Sequence, residues 1–151
     1  MIYADLKKLG MKINFLTLEF NNIVSKLTGS YEWDAIILGL TGGDEPHFSK
    51  NVWASDGSLH MWYPQQEKPA TKWEARIDEI FSQGVQELDP DKRKELYDEH
   101  QFIVSQQLPL IYTVLNSRLY AVRNKFGNLN PTNYGGVFHN LEKLYIKDSY
   151  R

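Results

Sequence analysis

The stretch "WDAIILGLTGGDEPHF", residues 33–48, decides how the rest of the chain is read. Ala35-Ile36-Ile37-Leu38-Gly39-Leu40 is an unbroken apolar run. A short run of this kind fits a strand covered on both faces. It stops at Thr41, and Gly42, Gly43, Asp44, Glu45, Pro46 and His47 follow. In open α/β sheets, ligands lie beyond the carboxyl ends of strands. Glycines at such a place let the backbone approach a ligand closely. The stretch therefore predicts a strand over 33–40 that runs into a ligand-side loop.

The flanking segments extend that reading. Ile2, Leu6 and Leu9 share one helical stripe, and Gly10 stands where a left-handed residue ends a helix. Residues 11–15 alternate like a strand. A helix is expected over 22–27, capped by Asn21 or Asn22. Helix, strand, helix, strand is the order of an α/β layer with crossover connections. Residues 41–71 read as a long loop carrying Trp53, Trp62 and Tyr63. Loops of that length inside a domain are commonly functional or disordered, and aromatics disfavour disorder.

Order then returns. Trp73, Ile77, Ile80, Phe81, Val85 and Leu88 mark a helix over 71–88, and Thr71 with Glu74 fits a capping box. Asp89 caps a second helix with Pro90 at its first position. Its face carries Leu96, His100, Ile103 and Gln107, and Pro109 ends it. Strands are expected over 110–115 and 118–122. A turn-rich stretch follows over 126–136, and Leu144-Tyr145-Ile146 forms an edge strand.

Composition sets outer limits. The 151 residues suit one domain or one lobe, and the formal charge of −2 gives no electrostatic ground for binding nucleic acid. Arg118, Arg123 and Lys125 read as a solvated strand face. Cysteine is absent, which removes disulfides and thiolate metal sites. No run approaches the roughly 18 apolar residues of a membrane span, and residues 1–10 do not form a signal peptide.

Several side chains are candidates for chemistry. Asp44, Glu45 and His47 offer oxygen and imidazole ligands, but a metal needs convergent donors on a rigid frame. No catalytic constellation or phosphate loop is visible. Trp53 and Trp62 suit either core packing, the commoner role, or the apolar wall of a site. His100 fits a hydrogen-bonded core histidine, while His60 and His139 stand alone.

In order and spacing the chain resembles the C-terminal portion of extracytoplasmic solute-binding proteins of the oligopeptide/dipeptide/nickel class. These are the substrate receptors of ABC importers. The stretches that carry the likeness are "DLKKLGMKINFLTLEFNNIVSKL", "WDAIILGLTGGDEPHF", "NVWASDG", "WEARIDEIFSQGVQELDPDKRKELYDEHQFIVSQQLPLIYTV" and "LYAVRNKFGN". The resemblance implies part of a type II periplasmic-binding-protein fold. Residues 1–108 would form an α/β lobe with ligand-side loop 41–71. Residues 109–151 would be crossover strands and a tail returning to a first lobe. It implies a binding protein without catalytic residues, metal or cofactor, set in an extracytoplasmic parent. Its partners would be a peptide or other small solute and a membrane permease. Gly42, Gly43 and Asp44 would face the ligand, with Trp53 or Trp62 as wall. Peptide-binding members often carry a Trp and an Asp where this chain has Gly39 and Gly42. The Asp that pairs with a peptide's amino group is thus missing at its usual position. Two other readings stand beside this one: a self-associating structural fragment, and a small hydrolase or metal protein using Asp44, Glu45 and His47.

Overall fold

The first apolar stripe closes on its glycine as expected. Helix α1 spans Ile2–Lys8. Gly10 follows at φ 82°, its N–H donating to Lys7 O at 3.0 Å, while the Met11 N–H reaches Leu6 O at 3.3 Å. Those two bonds satisfy carbonyls at the helix end, in the Schellman arrangement that glycine favours. The computed structural model describes residues 1–115, 119–133 and 135–150. They divide into two compact units.

The first unit joins residues 1–40 to residues 50–81. Helix α2, Phe20–Ser25, runs on into a π-helical turn, Lys26–Ser30. Tyr31, left-handed at φ 56°, ends the turn. Asn21 and Asn22 lie inside α2 and do not cap it; Glu19, in extended conformation, precedes the first turn. The wider turn carries Leu27 into the core.

Helix α3, Lys50–Trp53, begins a tight knot of chain. Ser58 N–H donates to Asn51 Oδ1 at 2.8 Å, and Leu59 N–H to Asn51 O at 3.1 Å. Gly57 permits this closure. A Cβ placed on it would stand 2.1 Å from Asn51 O. We expect Gly57→Ala to cost about 2 kcal/mol, because the carbonyl it meets is fixed by those bonds. A thermal melt followed by tryptophan fluorescence checks this. An unchanged midpoint would mean the knot opens freely.

Helix α4, Lys72–Gly84, starts in the first unit. The capping box forms: Glu74 N–H donates to Thr71 Oγ1 at 3.2 Å, and Thr71 N–H to Glu74 Oε2 at 2.8 Å. Ile77, Ile80 and Phe81 are fully buried. The helix stops four residues short of the expected Leu88, so Val85 and Leu88 lie beyond it and are exposed.

The second unit joins residues 41–49 to residues 82–151. Helix α5, Pro90–Gln107, is capped by the Asp89 carboxylate, which accepts from the Asp91 and Lys92 N–H groups. Leu108 is left-handed and ends it before Pro109. Tyr97, His100 and Val104 form its buried stripe; Gln107, expected on that face, is exposed. Strand β1, Phe126–Gly127, pairs antiparallel with β2, Tyr145–Ile146. The expected edge strand is therefore present, though short.

The other expected strands are not seen among the described residues. The segments 11–15, 33–40 and 110–115 form no ladder among the described residues. The expected strand 118–122 begins at Arg118, which lies outside the described residues, and 119–122 form no strand. Tyr134, in the turn-rich stretch, is also outside them. The observed architecture is mixed helix and strand, with a ladder two residues deep. A strand is stabilised by backbone bonds to a neighbour, so an apolar run without one stays irregular. Ile36 and Leu38 are nevertheless half-buried while Ile37 is exposed. Ile111, Val114 and Leu115 are 90%, 82% and 99% exposed. Loop 41–71 is also more ordered than expected, holding a 3-10 turn, Pro46–Ser49, and α3.

Candidate functional site

In the second unit, α5 places Arg93 and Tyr97 one helical turn apart, so both side chains emerge on the same face. The 41–49 loop places Glu45 and His47 two residues apart. These four residues meet. Arg93 Nη2 donates to Glu45 Oε1, the same oxygen that accepts the His47 N–H at 3.1 Å. Tyr97 OH lies 3.4 Å from His47 Nδ1. Arg93 Nε donates to Gly84 O at 2.7 Å, and its guanidinium lies 5.4 Å from the Tyr97 ring centroid. Gly84 lies close against Tyr97: a Cβ built on it would stand 2.8 Å from the Tyr97 ring. The hydrogen bond from Arg93, helped by the His47 N–H, holds the Glu45 carboxyl below its usual range. Burial pushes the Tyr97 hydroxyl up.

The expected ligand-facing residues lie just before this network. Gly42, Gly43 and Asp44 are all exposed. Nothing lies within 4 Å of a Cβ built on Gly42, so its backbone is open. At Gly43 the Phe48 ring would stand 2.6 Å from such a Cβ and covers that side of the backbone. Asp44, Glu45 and His47 do not converge as a donor set. Among the described residues no three His, Asp or Glu side chains are grouped to hold a metal.

Trp53 and Trp62, the expected apolar wall, belong to the first unit. Trp53 is buried, its ring 5.6 Å from that of Trp62. Trp62 also packs against His60, 3.9 Å between centroids, and Trp73, 6.1 Å. Its indole N–H donates to Glu74 Oε1 at 3.0 Å. Glu74 is 2% exposed and also accepts from the Gln66 amide, the Ala70 N–H, the Thr71 N–H and the Thr71 hydroxyl. Burial opposes its charge, yet the bonds from Trp62 and Thr71 outweigh that and set its carboxyl below the usual range. His60, expected to stand alone, is buried here, its Nε2 3.7 Å from Glu74 Oε1 and its Nδ1 3.3 Å from Val52 O. Its place could not be read from the sequence: no periodic pattern links positions 60, 62 and 74.

Comparison with known proteins adds the decisive observation. The chain is 30% identical over 128 residues to Di/tripeptide-binding protein 3 of Pseudomonas aeruginosa, covering 83% of this chain and 22% of that protein. It is 29% identical over the same length to the Dipeptide-binding protein of Pseudomonas aeruginosa. This chain is a relative of the dipeptide-binding proteins. A Deinococcus radiodurans protein named "Probable ABC transporter-binding protein" is 33% identical over 108 residues, 64% of this chain and 18% of its own length. The chain thus spans about a fifth of the length of the curated relatives it matches. No family model and no solved structure matches it. Similarity to a dipeptide-binding protein agrees with the resemblance carried by the quoted stretches, and favours neither the structural fragment nor the hydrolase.

Proposed function

We propose that this chain is the solute-binding part of a peptide-class receptor of an ABC importer, in a type II periplasmic-binding-protein fold. The parent would be extracytoplasmic and would deliver a peptide to a membrane permease. The observation that carries this reading is the kinship with dipeptide-binding proteins over 83% of the chain. The exposed loop at Gly42, Gly43 and Asp44 supports it, being the place where an open backbone can meet a ligand. Trp53 and Trp62 have their rings packed in the first unit, so the loop is carried forward as the ligand-facing set.

A receptor of this class works by closure. The ligand bridges two lobes and shifts the population toward the closed form. In the complete receptor the apolar segments 33–40 and 110–115 would pair with neighbouring strands and lose their exposure. The 151 residues alone make only some of the ligand contacts, so we expect a dissociation constant no tighter than about 0.1 mM. Amide shifts read by NMR during titration with dialanine test this. Changes at Gly42, Gly43 and Asp44 at roughly 10 mM peptide are expected. Unmoved amides there would overturn the loop assignment. Micromolar affinity would overturn the two-lobe account.

A further inference from the structure

We infer that Arg93 is a positioning residue: from the start of α5 it grips Glu45 and thereby sets the conformation of loop 41–49, including Gly42–Asp44. The inference rests on reading that loop as the ligand side. Its geometry stands independently.

Arg93 is suited to the task by its fork. Nε is committed to Gly84 O at 2.7 Å, which fixes the guanidinium plane. Nη2 is then presented to Glu45. A lysine has one compact ammonium and cannot serve both partners in this geometry. Glu45 passes the restraint into the loop, because the oxygen that accepts from Arg93 also accepts the His47 N–H. The Glu45 carbonyl accepts the Phe48 N–H at 3.1 Å, closing the 3-10 turn. Phe48 in turn covers Gly43. A continuous chain of contacts therefore runs from α5 to the backbone of Gly43. Tyr97 contributes a second grip at His47. A loop fixed at alternate residues loses less entropy on binding than a free one, so its restraint contributes affinity without touching the ligand.

Hydrogen exchange of single amides, without peptide, reads the clamp. In Arg93→Met, exchange at His47 and Phe48 should rise about tenfold, although both retain their own acceptors. Arg93→Lys should behave similarly. Lys94→Met, a neighbouring change of the same charge, should leave both amides unmoved. In the Arg93→Met background, Glu45→Ala should add less than about twofold at Phe48, since the coupling is already lost. Unchanged rates in Arg93→Met, or equal Glu45→Ala effects in both backgrounds, overturn the inference. Should Arg93→Met also loosen α5, Glu45→Ala decides, because it leaves the bond to Gly84 in place. Dialanine titration then separates the two readings. Where wild-type shifts appear at Gly42–Asp44, Arg93→Met should weaken the affinity about tenfold, and equal affinity overturns the positioning role. Absent wild-type shifts count against the ligand-side reading, and the exchange rates alone then decide the clamp.

Discussion

Glu74→Ala should lower the stability of the first unit by about 3 kcal/mol, read as a shift in the urea midpoint at neutral pH. The size follows from what the carboxylate holds. It accepts from the Trp62 indole, the Gln66 amide, two backbone N–H groups and the Thr71 hydroxyl, and is 2% exposed. Alanine removes every acceptor at once. The Ala70 and Thr71 N–H groups can turn to water, being at the exposed start of α4. The Trp62 and Gln66 donors are enclosed and retain the desolvation cost. The capping box is lost as well, a further contribution of about 1 kcal/mol. Glu74→Gln should fall between, because one oxygen remains and the new amide nitrogen cannot accept. Because its carboxyl lies below the ordinary value of 4.5, Glu74 stabilises the fold above that pH and loses the contribution as pH falls through its folded value. Equal midpoints for wild type and Glu74→Ala would show that the cluster is replaceable by water.

The features read correctly from sequence were those written within a few residues. Gly10 ends α1, Thr71 and Glu74 close a box, and Asp89 with Pro90 opens α5. Each is a local bond between groups whose separation is set by helix geometry. No ladder forms at 11–15, 33–40 or 110–115 among the described residues, because a strand needs a neighbour to bond with and periodicity alone does not supply one. Helix α4 ends early for a related reason. Its stripe continues through Val85 and Leu88, but Gly84 packs against Tyr97 of α5, and its carbonyl is taken by Arg93. The candidate site shows the same division. The glycine loop was legible because it follows an apolar run. The Glu45–Arg93 pair joins residues 48 apart in sequence, and nothing in the spacing marks it. Glu74 was legible as a cap, while its second role, gathering Trp62, Gln66 and His60, depended on the fold of the 50–70 segment.

Acid should weaken the protein in two separable stages, the first belonging to His100. Burial on the inner face of α5 lowers its pKa from 6.5 to about 4. Between those values the unfolded chain binds a proton that the folded chain refuses. Stability is therefore unaffected by this group above pH 6.5 and falls as pH drops toward 4. The accumulated loss is roughly 3 kcal/mol by pH 4. The Glu74 loss has the same sign but begins only below 4.5, its ordinary value. Urea midpoints measured at intervals from pH 8 to about 4 should therefore be flat, then decline through the histidine window. His100→Gln should abolish the decline between pH 6.5 and about 4, because a neutral amide has no proton to refuse. Its midpoint at neutral pH can drop from lost packing, so the slope against pH is the informative quantity. A wild-type slope that survives in His100→Gln would place the proton uptake elsewhere. It would also mean that the buried stripe of α5 admits enough water to solvate an imidazolium.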